Sequence, residues 1–383
     1  MITPFRIADL PLYWRTTATA NAERPAGIPA RTDFEFTFDP GLGLIRQRVT
    51  PELAATLERV YRAEANVGYL QVGQSLADPY GQDLWRFIDK AFSMKGKPRT
   101  ALEIGCGGCY ILDLLTKAGV DAMGIDPSPI AVRTAAAMGF KVVEGFFPHP
   151  AAAGPFGLIL HIDVLEHVAD PVGFLRDQRD RLTEDGLLII SIPDCTSSNA
   201  AGDLSMIIHQ HINFFDADSL AVTCRAAGLE PLLIERSNYG GSLYCLAQRA
   251  EPSLSPDSPD ALGIYERFCR QAAAVAERFS RMLKEALAQG QTVGCYVPLR
   301  AFPYLALAGH LESVRLFDDS AEMAHRFFDG VSRRVEDFAD FQKDPPDLAF
   351  VMSYSFGDRI RDKIRQGVGT RSRIVTLTDL ANG

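Results

Sequence analysis

Three groups of residues have types and spacing that suit chemistry. The first is Glu103-Ile-Gly105-Cys106-Gly107-Gly-Cys109, followed downstream by Asp126-Pro127-Ser128. The second is Asp163-Val-Leu-Glu-His167-Val, and the third is His209-Gln210-His211-Ile-Asn213. Glycines at 105 and 107 remove side chains where a backbone must approach a ligand. A helix beginning near Cys109 would point free amides into the same space. Asp126 stands where a carboxylate can accept hydrogen bonds from both hydroxyls of a ribose. The histidines titrate near neutral pH, so they suit removal of a proton from an acceptor. Together these groups describe a nucleoside-bearing cofactor beside an acid–base site.

The flanking sequence supplies the elements that must hold them. Ala101–Ile104 reads as a buried strand, then come a glycine loop, a helix, and a second strand, Ala122–Asp126, ending in the carboxylate. That order places the pocket at the carboxyl edge of a parallel sheet, in an α/β fold. Further strands are expected near Lys141, Leu158, Leu187, Pro231 and Ser242. Residues 1–95 form an N-terminal accessory region. In it Phe34–Asp39 alternates like a strand, Pro51 starts a helix through Leu57 and Tyr61, and Asp83–Phe92 has helical spacing. Residues 96–250 carry the cofactor domain, and the proline-serine stretch 251–262 is a linker. Residues 263–383 form a second, smaller α/β domain: a long helix from about Gly263 to Gln289, then strands at Thr292–Val297, Ser313–Asp318 and Asp347–Met352.

Composition narrows the function classes. The chain has 383 residues, 47% of them hydrophobic and 23% charged, as a globular protein of two or three domains would. A net charge of −9 with no basic stripe argues against a nucleic-acid partner. No apolar run reaches membrane-spanning length and no signal-peptide pattern opens the chain, so a cytoplasmic protein without a membrane partner is expected. The seven cysteines have no framework spacing, and Cys106 and Cys109 read as small residues in a crowded turn. Oligomeric state is open.

Two cofactors compete for the glycine loop. A dinucleotide asks for G-x-G-x-x-G, but Tyr110 occupies the third glycine position. Glu103-Ile-Gly-Cys-Gly instead resembles the first motif of class I methyltransferases. Leu158–Val168 is similar to the fourth motif of that family, and Gly186–Pro193 to its fifth strand after an Asp-Gly turn. The resemblance implies a Rossmann-like sheet ending in an antiparallel hairpin. It implies S-adenosylmethionine as cofactor, held by Glu103, Gly105, Cys106, Gly107, Asp126, Pro127 and Asp163.

The layout further resembles the nucleotide-sugar C-methyltransferases of deoxysugar pathways. Phe38–Gln47 with Tyr61-Arg, His209–Leu220 with Gly240-Gly-Ser, and Thr292–Asp318 with Pro346–Ser355 carry that likeness. It implies an N-terminal zinc module, a central methyltransferase domain and a C-terminal Rossmann-like domain. Departures accompany it. No cysteine precedes Cys106, and Asp39 and Leu42 occupy two zinc-ligand positions, so a metal-free N-terminal region is expected. Gly294–Arg300 lacks the family's glycines, and Gln210 replaces its glutamate. The resemblance makes His211 the leading base and His167 a second acid–base or oxyanion group, with Gln210 offering amide hydrogen bonds. Tyr61, Tyr69 and Asn213 are expected to line the acceptor pocket. Other readings stand beside these: His167 as a cofactor-pocket wall, His211 as a structural hydrogen-bonder, and His209 with His211 as a metal pair on one strand face. The expected activity is methyl transfer to a small polar acceptor, with C-methylation of a sugar or nucleotide sugar favoured. O- or N-methylation, an NAD-dependent oxidoreductase and a non-catalytic binding protein are the alternatives.

Overall fold

The computed structural model describes residues 5–20, 22–63, 77–253, 261–320, 322–354 and 356–382. It divides into two compact units. One comprises Phe38–Thr196 and Gln210–Ala261, the other Met1–Thr37, Ser197–His209 and Leu262–Gly383.

The first unit is built on a seven-stranded sheet. In chain order its elements are β1 (Thr100–Ile104), α1 (Tyr110–Lys117), β2 (Asp121–Asp126), α2 (Pro129–Met138), β3 (Lys141–Glu144), β4 (Phe156–Ile162), α3 (Pro171–Arg179), β5 (Leu182–Pro193), α4 (Ala217–Ala226), β6 (Leu229–Arg236) and β7 (Ser242–Arg249). The sheet order is β3-β2-β1-β4-β5-β7-β6, and β7 alone runs opposite to the other six strands. This is the Rossmann-like arrangement with a terminal hairpin. The inner strands are near-continuous apolar runs because helices cover both faces. Leu158, Ile159 and Leu160 of β4 and Leu188 and Ile190 of β5 are almost fully buried. The chain starts at β1, moves outward to β3, then returns past β1 to β4. The carboxyl ends of β1 and β4 therefore flank a switch point, where such sheets leave a crevice.

Local sequence explains the element ends. Ser128 caps α2 by accepting from Ile130 N, Pro129 opens the helix, and Gly139 closes it at φ +78°. β5 begins earlier than the Asp-Gly turn suggests. Phe156 pairs with Leu182 and Leu158 with Leu187, so Thr183–Gly186 bulges out within one strand.

A helix over Ala77–Lys95 precedes β1 and packs on α1. The contact explains Tyr110. A Cβ on Gly81 would lie 2.2 Å from the Tyr110 ring, so the helix backbone rests directly on that ring.

The second unit holds a five-stranded parallel sheet: β8 (Val293–Tyr296), β9 (Arg315–Phe317), β10 (Val335–Glu336), β11 (Leu348–Val351) and β12 (Arg373–Thr376), in the order β10-β9-β8-β11-β12. Helices α5 (Ala261–Ala288), α6 (Pro298–Ala308) and α7 (Gly357–Val368) accompany it. β8, β9 and β11 match the three strands read from sequence. The short β10 carries too few residues to show periodicity.

The N-terminal region is not one piece. Its first 37 residues group with this second unit. The strand Arg6–Pro11 packs under α6, and Thr16–Thr17 pairs with Phe327–Phe328. Trp14 Nε1 donates to Asp329 at 3.0 Å, and Arg24 pairs with the same carboxylate at 2.9 Å. Residues 197–209 join them through Leu204 N, which donates to the Tyr304 hydroxyl at 2.9 Å. Residues 38–63 and 77–95 group instead with the seven-stranded sheet. Asp39, at a position the sequence compares with a zinc ligand, accepts from Leu42 N at 3.2 Å and so holds a tight turn. Of the linker, 254–260 lie outside the described residues.

Gly81→Ala is expected to destabilise the first unit by about 1–3 kcal/mol through overpacking on Tyr110. Combined with Tyr110→Ala, most of that penalty should vanish. Urea unfolding of the two single variants and the double variant measures this coupling.

Candidate active site

The glycine loop joins β1 to α1 at the carboxyl edge. Gly105 has φ +73°, and a Cβ there would lie 2.6 Å from Val164 Cγ2. Gly107 has φ +43°, and Cys109 enters α1 at φ +61° with no side-chain cap on the helix amides. Gly105 N donates to Ile125 O at 2.8 Å, and Gly107 N donates to Asp126 Oδ2 at 2.9 Å. Ser128 N donates to Asp126 Oδ1 at 2.8 Å. Each carboxylate oxygen thus takes one backbone amide and keeps a lone pair for another donor. Burial pushes the Asp126 carboxyl up in pKa, and the two amides oppose this. Pro127 follows as the half-buried residue between Asp126 and the Ser128 cap.

Two of the expected cofactor residues hold the loop from beneath. Cys106 is buried with its sulfur over Gly124, where a Cβ would lie 2.6 Å from Sγ. With Cys109, Leu112 and Ala135 it forms a small apolar cluster. Only the Cys106 backbone belongs to the loop surface. Glu103 is 3% exposed and accepts from the Leu112 amide. Burial, then Cys109 and Asp126, hold its carboxyl well above the usual range.

Asp163 ends β4 in the left-handed region, at φ +52°. The Tyr80 hydroxyl lies 3.4 Å from both its carboxylate oxygens and 3.3 Å from Ser191 Oγ. Burial pushes the Asp163 carboxyl up to about 6, against the Tyr80 hydrogen bond. Tyr80 has no distinguishing sequence signal. It enters the site only because the helix Ala77–Lys95 packs on the inner strands of the sheet.

The histidine group gathers next to Asp163. His167 ends a single 3₁₀ turn, Leu165–His167, and its ring lies 5.1 Å from that of His211. Its Nδ1 is 2.8 Å from Gln210 O, a contact that makes Nδ1 the protonated nitrogen. Burial lowers the His167 pKa to about 4, opposed by the Gln210 and Asp163 carbonyls. Gln210 is buried and serves here through its main chain. Tyr61 reaches the group from the helix Pro51–Arg62, its ring 6.0 Å from His167, with its pKa raised by burial and by Glu166. Tyr69 lies outside the described residues.

One expectation and one alternative reading are corrected here. Asn213 does not offer its amide to a substrate. It is 1% exposed, donates to Leu165 O and Val168 O at 3.0 and 2.8 Å, and accepts from Arg46 Nε at 2.8 Å. The side chain is consumed in bracing the 3₁₀ turn that carries His167. Nor do His209 and His211 share a face. The chain between them turns rather than extends, and His209 Nε2 sits 3.2 Å from Thr32 O in the other unit's fold. The residue that sequence reading passed over is Glu166. It is 2% exposed, and its Oε1 lies 3.6 Å from His167 Nε2.

Comparison with known proteins places this geometry. Residues 78–234 match the family model described as a methyltransferase domain. The chain carries a methyltransferase domain. Among curated relatives it is similar to a ubiquinone biosynthesis O-methyltransferase of Ruegeria pomeroyi, 31% identical over 148 residues, 34% of this chain and 60% of that protein. A protein of the same name from Caulobacter sp. strain K31 is 35% identical over 100 residues, 24% of this chain and 39% of that one. The chain thus spans between 39% and 60% of these relatives' length. Among solved structures, a Burkholderia thailandensis 1,6-didemethyltoxoflavin-N1-methyltransferase with bound S-adenosylhomocysteine is 18% identical, with TM-score 0.39, covering 60% of this chain and all of that one.

The residues of the methyltransferase domain fit the cofactor. The backbone is bare at Gly105 and Gly107, and the Asp126 carboxylate keeps lone pairs for a diol. Asp126→Ala is therefore expected to weaken S-adenosylmethionine binding by about tenfold to a hundredfold, the loss of a hydrogen bond to a charged group. Calorimetry checks this, and an unchanged dissociation constant contradicts it. A second expectation concerns pH. Unfolded, the Asp163 carboxyl titrates near 3.9; folded, near 6. Between these values the folded state holds more protons, so stability falls as pH rises, and the loss is complete above the higher value. Asp163→Asn should flatten unfolding free energy across that window and stabilise the cofactor-free protein at pH 7. Urea titrations at several pH values read both effects.

Proposed function

We propose that this chain transfers the methyl group of S-adenosylmethionine to a small polar acceptor, with His211 as general base. The observation that supports it most is the placement of His167 and His211 beside Asp163, at the same carboxyl edge that carries the glycine loop and Asp126. A base at that edge is where an acceptor facing the cofactor would need it. The cofactor supplies an electrophilic methyl on a sulfonium. The chain's own groups do the rest. Asp126 and the glycine loop hold the nucleoside, His167 is fixed by Gln210 O, and His211 takes the acceptor's proton. Glu103 supports the loop, and Tyr61 walls the acceptor side.

For the acceptor we favour a sugar or nucleotide sugar methylated at a carbon next to a ketone, on the strength of the overall layout. A second reading, O-methylation, is favoured by the names of the curated relatives. Seven cysteine thiols without a disulfide suit a reducing cytoplasm. Among the described residues no helix is long and apolar enough to cross a membrane.

S-adenosylhomocysteine should raise the melting temperature, whereas NAD should not. With S-adenosylmethionine and a panel of keto-sugar nucleotides and catechols, one class should yield S-adenosylhomocysteine in an enzyme-dependent way. His211→Ala should abolish that turnover and leave S-adenosylhomocysteine affinity within about twofold, because its role lies in proton transfer. Near-normal turnover removes it as base. Stabilisation by NAD instead would return the chain to the oxidoreductase reading.

A further inference from the structure

Glu166 is the least explained polar residue of the methyltransferase domain. It is 2% exposed, and among the described residues its carboxyl oxygens meet no other residue's donor, with only its own main-chain amide beside them. Burying a carboxyl this way is costly, so the position calls for a reason beyond packing. Its neighbours supply one. A carboxylate oxygen of Glu166 and one ring nitrogen each of His167 and His211 all lie within 4.8 Å of one another. His167 Nδ1 already gives its proton to Gln210 O, so Nε2 presents a lone pair. That lone pair and Glu166 Oε1, 3.6 Å apart, are two acceptors facing each other. They attract only when one proton lies between them.

We propose that Glu166 is the positioning residue of the base: its carboxylate, with His167, stabilises the imidazolium that forms when His211 takes the acceptor's proton. This rests on the methyl-transfer reading above. In the step, the acceptor's C–H or O–H bond breaks and its proton goes to His211. The electron pair left behind forms the bond to the methyl carbon. The bond from that carbon to sulfur breaks with its pair staying on sulfur, which becomes a neutral thioether. One positive charge disappears from sulfur and one appears on the imidazole. The Glu166 carboxylate offsets the new charge, and the proton later passes to water. Among the described residues, the other titratable groups facing Glu166 are the Tyr61 hydroxyl, from the helix Pro51–Arg62, and the Asp163 carboxyl at the end of β4, with Tyr80 bonded to it. Neither adds positive charge; burial and the Asp163 charge push the Glu166 carboxyl up, and a positive charge on His211 draws it back toward its anion.

Histidine NMR tests this without knowledge of the acceptor. The full chain has seven histidines, and ring-labelled protein saturated with S-adenosylhomocysteine is titrated. His167→Gln and His211→Gln assign the two signals. In Glu166→Gln the His211 midpoint should fall by about one pH unit or more, the effect of losing an opposite charge within a few ångströms. Affinity for S-adenosylhomocysteine should stay within about twofold, since Glu166 is not assigned to the cofactor. A merely structural glutamate would leave that midpoint where it was, and this result overturns the inference. If Glu166→Gln does not fold, the wild type decides. Coupled groups give His211 a titration with two inflections, and a single one contradicts the proposal. A third outcome also overturns it: loss of the two signals' positions on chelation with EDTA and their recovery with Zn²⁺ would make the trio a metal site. Failure of S-adenosylhomocysteine to bind at all would sink the methyl-transfer reading itself, whereas binding with an unmoved titration sinks only the role of Glu166.

Discussion

The amide of Gly107 donating to the carboxylate of Asp126 is the contact on which the proposed cofactor site depends. It ties the loop after β1 to the end of β2. That closure forces the chain through left-handed conformations at Gly105 and Gly107, where a side chain would be strained. The Gly105 amide adds a second tie, to Ile125 O. Once these are made, the amides at the start of α1 and the free lone pairs of Asp126 address one space. Cys106, Cys109 and Glu103 then serve from below, filling the room between loop, β2 and α1.

The proposed acceptor side obeys a different constraint, the burial of charge. Asp163, Glu166 and His167 lie close together and largely out of water, and burial shifts each toward its neutral form. Tyr80 partly stabilises the first, and the Gln210 carbonyl fixes the third. Asn213 braces the turn between them with three hydrogen bonds. A site so arranged changes its charge state when a cationic cofactor enters or a proton moves, which is the electrostatic setting that proton transfer needs.

Much of the sheet was legible in the sequence because its signals are local. Apolar runs marked β1, β2, β4 and β5, glycine spacing marked the loop, and Asp126 marked the end of β2. The interior of the acceptor side was less legible. Asn213 reads as a polar residue beside a histidine, and only the approach of Leu165, Val168 and Arg46 makes it a brace. Glu166 reads as part of a common string, and its value comes from its burial beside two imidazoles after folding. Tyr110 reads as an obstacle in a glycine motif, yet Gly81 in a preceding helix accommodates it. The division at Thr37 was invisible for the same reason: the strand Arg6–Pro11 finds its cover in α6, almost 300 residues later.

The central claim is that the two left-handed glycines and Asp126 grip the nucleoside half of S-adenosylmethionine at the switch point of the sheet. A crystal structure of the complex with S-adenosylhomocysteine tests it most directly. The account predicts both ribose hydroxyls on the Asp126 carboxylate and the homocysteine portion running along Gly105 toward Asp163. Ligand density elsewhere, or a ribose turned away from Asp126, would contradict it.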